Sequence, residues 1–241
     1  MSRLQIIGGR FSHDVLRRVL AEKPAVKILD VPAGTGVLSS FLREHGYDVH
    51  CADIDAGNFA AQGFPFQTVN LNRGLPYPDS SFQAAVCANG LHRLWNPAQA
   101  IRELYRILKP GGTLYVTVNN YASVQKRLRF LFTGSISKTI NTGFCSQTID
   151  DPEAHYRNCL LFPQLANMLE AAGFRITDVR ASSVKSVHRF MTPMAWLIRF
   201  GTLFLSKRNE RVNRISETRS AAVCPGGKYL FIEARKPDAG L

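Results

Sequence analysis

Residues 26–36 read VKILDVPAGTG, and this stretch decides the fold. Its first half is an apolar run interrupted near its end by Asp30, which is typical of a strand buried on both faces of a parallel sheet. Gly34 and Gly36 follow, and residues 37–43 then have helical spacing. A strand, a glycine turn and a helix start together leave backbone that a ligand can approach closely. The stretch therefore predicts an α/β fold with a binding site at this turn.

The turn lacks the G-x-G-x-x-G pattern of dinucleotide-binding folds, because Ser39 stands at the third glycine position. Residues 30–36 instead read D-x-P-x-G-x-G, which resembles the first motif of class I S-adenosylmethionine-dependent methyltransferases. The family motif has glycine where this chain has Pro32, whose φ angle is fixed. The resemblance implies that the methionine end of S-adenosylmethionine is received by Asp30, Pro32, Gly34 and Gly36, with Asp30 either ordering the turn or holding the ammonium group through water. A plain glycine turn between a strand and a helix is the alternative.

A second strand is predicted over residues 47–52, and Asp53 and Ile54 stand at its end. Asp53 lies about 20 residues beyond the glycine turn, where nucleotide-binding α/β folds place an acid that accepts hydrogen bonds from ribose hydroxyls. We therefore predict that Asp53 binds the ribose of the cofactor and that Ile54 lies beside it. A solvated acid at the end of a strand is the alternative.

Further motifs make the resemblance more specific. Residues 71–82 read LNRGLPYPDSSF and residues 95–120 read WNPAQAIRELYRILKPGGTLYVTVNN, which together resemble the core of the methyltransferase type 11 group. The resemblance implies a Rossmann-like α/β fold with a mostly parallel seven-stranded sheet, helices on both faces, a C-terminal insertion and S-adenosylmethionine as the cofactor. It also assigns adenine recognition to Asn70, Leu71 and Asn89, with Asn70 standing where many relatives have Asp.

Apolar periodicity predicts the remaining elements. Further strands are expected at 66–71, 84–88, 113–118, 174–179 and 229–234, and helices at 11–22, 37–45, 98–108 and 165–172. A cation, a proline and glycines are typical of a helix stop, so the helix at 98–108 is predicted to end through Lys109, Pro110, Gly111 and Gly112.

One methyltransferase domain is predicted over residues 1–241, with a cofactor-binding core at 24–120. Residues 121–160 and 182–227 are expected to form lid or substrate insertions, because connections of this length in a compact domain are usually functional. The second insertion holds an apolar run at 190–205, followed by basic residues. It is either a cover for the acceptor pocket or a helix lying on an anionic membrane surface, where Trp and Phe beside basic residues are typical.

Two histidines are candidate catalytic bases. Methyl transfer needs mainly positioning, although a hydroxyl acceptor benefits from a general base. His92 follows the fourth strand on the ligand side of the sheet, and His155 lies in the first insertion. One branch of the group has a Glu-His pair where this chain has His92 and Arg93, and a surface position without a role is the alternative for each histidine. No metal is expected, because the cysteines and histidines lack zinc-ligand spacing.

The charge is unevenly distributed along the chain. The net charge is +12, and residues 121–241 carry 18 basic and 9 acidic residues, against 12 and 9 in residues 1–120. The surplus lies outside the cofactor-binding core and predicts an acidic partner. Five cysteines without paired spacing and an N-terminus without an apolar leader predict a cytoplasmic protein with reduced thiols.

Two short segments bear on the methyl acceptor. Residues 126–136 and 162–174 resemble a branch of the group associated with bacterial surface-polysaccharide assembly. This resemblance implies oxygen methylation of a saccharide, a lipid-linked saccharide or another small molecule, and peripheral attachment to the inner membrane face is a further hypothesis. An RNA methyltransferase is a rival function that the net charge favours, although no RNA-binding domain is recognised. A non-catalytic cofactor-binding scaffold is a rival of another class.

Overall fold

A computed structural model describes residues 10–136, 157–181, 192–202, 205–220, 223–224 and 227–238. The strands are β1 (Lys27–Asp30), β2 (Asp48–Asp53), β3 (Phe66–Thr68), β4 (Phe82–Ala88), β5 (Leu108–Asn119), β6 (Arg175–Ala181) and β7 (Tyr229–Arg235). The α-helices are α1 (Arg10–Ala21), α2 (Val37–Glu44), α3 (Pro97–Ile107), α4 (Val124–Thr133), α5 (Phe162–Ala171), α6 (Thr192–Thr202), α7 (Lys207–Val212) and α8 (Ile215–Thr218). Short 3₁₀ helices lie at Ala56–Asn58 and Leu91–Arg93.

The seven strands of the described residues form one sheet in the order β3-β2-β1-β4-β5-β7-β6. Neighbours among β1 to β5 are parallel, whereas β7 runs antiparallel to both β5 and β6. This arrangement confirms the predicted mostly parallel seven-stranded sheet. The strand order reverses between β1 and β4, and open α/β sheets bind ligands at such a point, beyond the carboxyl ends of the strands.

Different helices cover the two faces of the sheet. Ile28 of β1 packs in one cluster with Leu16 of α1 and Leu42 of α2. Leu29, the next residue, packs in a second cluster with Leu104 of α3 and with leucines of α5. Successive side chains of a strand point to opposite faces, so each strand contributes to both clusters. Each fully buried leucine contributes about 1.5–3 kcal/mol, and the two layers therefore hold the strand ends firmly in place.

The start of β5 differs from the prediction. Helix α3 ends at Ile107, within one residue of the predicted stop, and β5 begins at once, so Lys109, Pro110, Gly111 and Gly112 lie in the strand, which was predicted to start at 113. Tertiary pairing overrides the local signal here. Leu108 pairs with Phe82 of β4, and the Gly111 N–H donates to the Lys236 carbonyl at 3.1 Å. Gly111 has φ +73, which glycine adopts without strain.

The two predicted insertions contribute helices that pack on the domain. Residues 121–160 supply α4, and residues 182–227 supply α6, α7 and α8. Helices α4 and α6 meet through Val124 and Ala195, which cluster with Cys224. Arg214, just before α8, forms ion pairs with Glu170 of α5 and with Glu217.

Helices α4 and α6 also expose large apolar side chains. We call this set the apolar surface, and it comprises Phe130, Leu131 and Phe132 of α4 with Trp196, Leu197 and Phe200 of α6. On α6, the exposed side chains line an open apolar groove with Pro193. Among the helices that the structure describes, none combines the length and the apolarity needed to cross a membrane.

Candidate functional site

The glycine turn between β1 and α2 leaves open space at Gly34. The Gly34 N–H donates to Asp53 Oδ2 at 2.7 Å, and a Cβ added at Gly34 would meet no heavy atom within 4 Å. Gly36 differs, because an added Cβ would lie 2.4 Å from Ala61 Cβ and 2.8 Å from Phe59 Cε2. The sequence prediction assigned both glycines to the cofactor. The structure leaves room for a ligand at Gly34 and fills the space at Gly36 with the protein itself.

Pro32 is accommodated by a glycine that sequence reasoning missed. The Val31–Pro32 peptide is cis, and the proline ring lies against Gly90, just after β4. A Cβ at Gly90 would be 2.4 Å from Pro32 Cδ and 2.9 Å from Cys87 Sγ. The sequence carried one signal of this contact, because the family motif has glycine where this chain has Pro32. The bulkier proline ring needs a small residue opposite it.

Asp30 is buried beneath the turn. Only 1% of its surface is exposed, and the Ser39 hydroxyl donates to its Oδ2 at 2.6 Å. Burial raises the pKa of the Asp30 carboxyl to about 7, the Ser39 hydrogen bond opposes this shift, and the Asp53 charge adds to it. The bond joins the end of β1 to α2, so its contacts fit the predicted role of ordering the turn.

Asp53 bridges the end of β2 and the glycine turn. Its Oδ2 accepts from Gly34, and its Oδ1 accepts from the Asp55 N–H at 3.1 Å. Burial raises the pKa of Asp53, while hydrogen bonds from the backbone of Asp55, Gly34 and Ile54 act in the opposite direction. A solvated acid is therefore excluded. Asp55, a second buried carboxylate at this point, was not predicted as a site residue.

The residues predicted to recognise adenine lie after β3 and β4. Asn70 Oδ1 accepts from the Asn72 N–H at 3.0 Å, a turn that ends β3 earlier than predicted. Leu71 is buried. Asn89 has φ +55, and its N–H donates to the Thr117 carbonyl at 2.9 Å. Because carboxyl ends of parallel strands share one edge, Asp30, Asp53, Asn70 and Asn89 are brought to the same edge of the sheet.

His92 lies inside the protein, in the 3₁₀ helix Leu91–Arg93. It is 3% exposed, which excludes the surface alternative, and the Asn158 N–H donates to its carbonyl at 2.7 Å. Burial lowers the pKa of His92 to about 3, and the positive charges of Arg93 and Arg157 add to this shift. The imidazole is therefore neutral near pH 7 and a weak base. His155, the other candidate base, lies outside the described residues.

The described residues contain no group of three or more histidine, cysteine or acidic side chains placed to hold a metal ion. Four cysteines of this part of the chain, Cys51, Cys87, Cys159 and Cys224, are free thiols.

Comparison with known families identifies the domain. Residues 29–116 match the family model of a methyltransferase domain, Methyltransf_11. Over residues 29–116 the chain therefore carries a methyltransferase domain of this family. Such a domain implies S-adenosylmethionine as the cofactor. The glycine turn fits such a ligand, since Gly34 adjoins open space and the Asp53 carboxylate stands next to it.

Curated relatives of the chain are named demethylmenaquinone methyltransferases. A demethylmenaquinone methyltransferase of Corynebacterium kroppenstedtii is 36% identical over 104 residues, which cover 42% of this chain and 44% of the relative. Another, from Paenarthrobacter aurescens, is 26% identical over 193 residues, which cover 73% of this chain and 76% of the relative. The chain thus spans less than half the length of the first relative.

Solved structures share the fold. The [4+2]-cyclase SpnF is 26% identical with a TM-score of 0.55, and the match covers 94% of this chain and 82% of that one. Neighbours at 17% identity include S-adenosylmethionine-dependent methyltransferases, and a likeness at that level shows the fold alone.

Proposed function

We propose that this protein transfers a methyl group from S-adenosylmethionine to an oxygen atom of a small-molecule acceptor, either a saccharide or a lipid-linked saccharide. The open space at Gly34 beside Asp53 carries the proposal. It lies at the edge of the sheet where the strand order reverses, the usual ligand position in open α/β folds. When bound there, the cofactor would supply an electrophilic methyl group on a sulfonium.

The chain's own residues position the reactants. Asp53 accepts the ribose hydroxyls and loses little by doing so, because a carboxylate has about four acceptor sites and its present backbone donors are Gly34, Ile54 and Asp55. Asp30 and Ser39 hold the turn in place. On the acceptor side, neutral His92 offers a ring nitrogen to an acceptor hydroxyl. Because its basicity is weak, it orients this hydroxyl and takes up the proton late in the transfer.

The cofactor assignment predicts a specific loss of affinity. Asp53→Ala removes charged hydrogen bonds to the ribose and is expected to weaken S-adenosylmethionine binding by about 1–3 kcal/mol, roughly a factor of 5 to 150. Calorimetry on the folded variant measures this. Asp48→Ala, at the exposed start of the same strand, serves as the matched control. Equal affinities in all three proteins would remove Asp53 from the cofactor site.

The acceptor prediction requires a turnover assay. Release of S-adenosylhomocysteine is measured with saccharides, polyprenyl diphosphate saccharides and a demethylated quinone, and methylation of a sugar hydroxyl is expected. His92→Ala should lower turnover roughly a hundredfold with cofactor affinity unchanged. Near-normal turnover would make His92 a packing residue and move attention to His155.

Methylation of a quinone carbon is the second candidate, and the names of the relatives favour it. The same assay separates the two, because product from the quinone alone would replace the saccharide proposal. Cofactor binding without turnover on any acceptor would favour the non-catalytic scaffold.

We also propose that the protein attaches to the inner membrane face through the apolar surface. Its two helices carry exposed aromatic side chains beside basic residues, Arg127 and Arg129 on α4 and Lys207 and Arg208 at the start of α7. Such a composition suits the interface of an anionic bilayer, and it would bring the site to a lipid-linked acceptor.

A further inference from the structure

Basic side chains collect beside His92. The segment that carries Arg157 is fixed to the turn after β4, because Asn158 donates from its N–H to the His92 carbonyl and from its Nδ2 to the Leu94 carbonyl, both at 2.7 Å. Arg93 and Arg157 both lie close enough to His92 to lower its pKa. Two guanidinium groups therefore stand next to a neutral, buried imidazole.

A second group of basic residues reaches the same edge of the sheet from β5 and β7. Asn119, the last residue of β5, pairs with Tyr229, the first residue of β7. Asn120 donates from its N–H to the Lys228 carbonyl at 2.8 Å, so Lys228 stands at this edge. Lys126, on the first turn of α4, places its Nζ 5.9 Å from the ring centre of Tyr121.

The two groups form one cationic cluster, defined as Lys126, Arg129, Arg157 and Lys228. The pKa of Lys126 is lowered first by burial and then by the charges of Arg129 and Lys228, and Arg157 contributes as well. Within the described ranges, no carboxylate lies within 4.0 Å of Lys126, Arg129, Arg157 or Lys228. Like charges thus face one another without acidic partners in this part of the chain.

Two buried polar atoms in or beside the cluster also lack a hydrogen-bond partner among the described residues. They are Nε of Arg157, a member of the cluster, and Nδ1 of His92, which lies beside it. A buried donor or acceptor left unpaired costs about 1–3 kcal/mol, so proteins normally satisfy such groups. Unpaired atoms beside uncompensated positive charge indicate a place for an anionic ligand with several acceptor oxygens.

Building on the proposed methyl transfer, we infer that the cationic cluster binds a phosphate or diphosphate group of the methyl acceptor. Arginine pairs with phosphate through two parallel hydrogen bonds, and lysine adds a mobile point charge. One carboxylate would neutralise a single positive charge, whereas a diphosphate spreads two or more negative charges over many oxygens and matches a cluster of four. The cluster and Gly34 lie at the same edge of the sheet, so an acceptor anchored by its phosphate faces the cofactor turn.

The test measures anion binding apart from methyl transfer. Inorganic diphosphate is titrated into the full chain by calorimetry without cofactor, and binding is expected to weaken at least tenfold in Arg157→Gln/Lys228→Gln. Arg102→Gln, an exposed arginine of α3 outside the cluster, is the matched control and should bind like wild type. Thermal melts check that all variants are folded. S-adenosylmethionine affinity, measured in parallel, should be unchanged in each.

Further binding measurements distinguish the possible sources of the phosphate group. A polyprenyl diphosphate in neutral detergent micelles should compete with inorganic diphosphate, because both present the same group. Undetectable diphosphate binding, or equal binding by the folded double variant, overturns the inference. So does binding to phosphatidylglycerol vesicles that the Arg157→Gln/Lys228→Gln variant loses and that diphosphate fails to displace, since the charges of the cluster would then serve a membrane surface. If the protein binds diphosphate, loses this binding in the double variant and does not bind S-adenosylmethionine, the anion site is supported. The proposed methyl transfer is then contradicted.

Discussion

Asp30 shows how a single buried carboxylate can make stability depend on pH. Its side chain accepts a hydrogen bond from the Ser39 hydroxyl, and burial disfavours its charged form, which raises its pKa from 3.8 to about 7. Between these values the folded protein binds a proton that the unfolded chain has released. Stability contributed by the protonated acid is therefore present at low pH and is lost as the pH rises through this window.

The free energy of unfolding should accordingly fall between pH 4 and pH 7, by an amount on the order of 4 kcal/mol if Asp30 acts alone. Asp30→Asn keeps an oxygen for Ser39 and removes the ionisation, so its stability should be flatter across this range. Urea unfolding at several pH values measures the difference. Parallel curves for wild type and Asp30→Asn would show that other groups cause the dependence.

At the scale of elements, the contact between Pro32 and Gly90 joins the turn after β1 to the turn after β4. Both turns border the proposed cofactor space. Gly90→Ala places a methyl group against the proline ring and Cys87, and we expect a loss of about 1–3 kcal/mol from overpacking.

A double-mutant cycle tests whether the two residues are matched. Pro32→Gly removes the ring, so Gly90→Ala should cost less in that background, with a coupling energy of about 0.5–3 kcal/mol. Denaturant unfolding of the four proteins supplies the values. Additive losses would mean that the two positions are independent and that Cys87 alone makes Gly90 necessary.

Most of the architecture could be predicted because its signals are local. The apolar run before Gly34, the Pro97 helix start and the alternation of apolar residues depend only on neighbours in the sequence, and their elements appear within a few residues of the predicted bounds. The early start of β5 was not predicted, because it depends on the pairing of Leu108 with β4 and on the hydrogen bond between Gly111 and Lys236.

Predictions of the site were limited in the same way, because contacts between distant parts of the chain leave no local signal in the sequence. The carboxyl ends of β1 to β4 could be placed at one edge from topology alone, which brought Asp30, Asp53 and Asn89 together. The function of a glycine could not be read in this way, because Gly36 is required by Ala61 and Phe59, residues that follow a different strand. Burial of His92 likewise depends on the arrival of residues 157 and 158 from the distant insertion.

At the scale of the whole molecule, the chain separates two kinds of chemistry along one edge of the sheet. Carboxylates stand after β1 and β2, and the cationic cluster stands after β4 and β5. Such an arrangement would place a cationic cofactor and the proposed anionic acceptor in adjoining regions of opposite potential, which favours a defined orientation of both. Helix α4 follows β5 on the side of the cationic cluster and carries part of the apolar surface.

Membrane attachment is the prediction that depends on the whole molecule, because α4 and α6 come from different insertions and meet only in the folded chain. Co-sedimentation should show binding to phosphatidylglycerol vesicles and little to phosphatidylcholine, weakening with salt because each basic residue contributes only about 1 kcal/mol and is screened. Trp196→Glu/Phe200→Glu should abolish binding, whereas Trp95→Glu, at an exposed tryptophan outside the surface, should not. If the folded wild type binds neither lipid, the two helices are instead a cover for the acceptor pocket. Their exposed aromatic residues would then contact the acceptor.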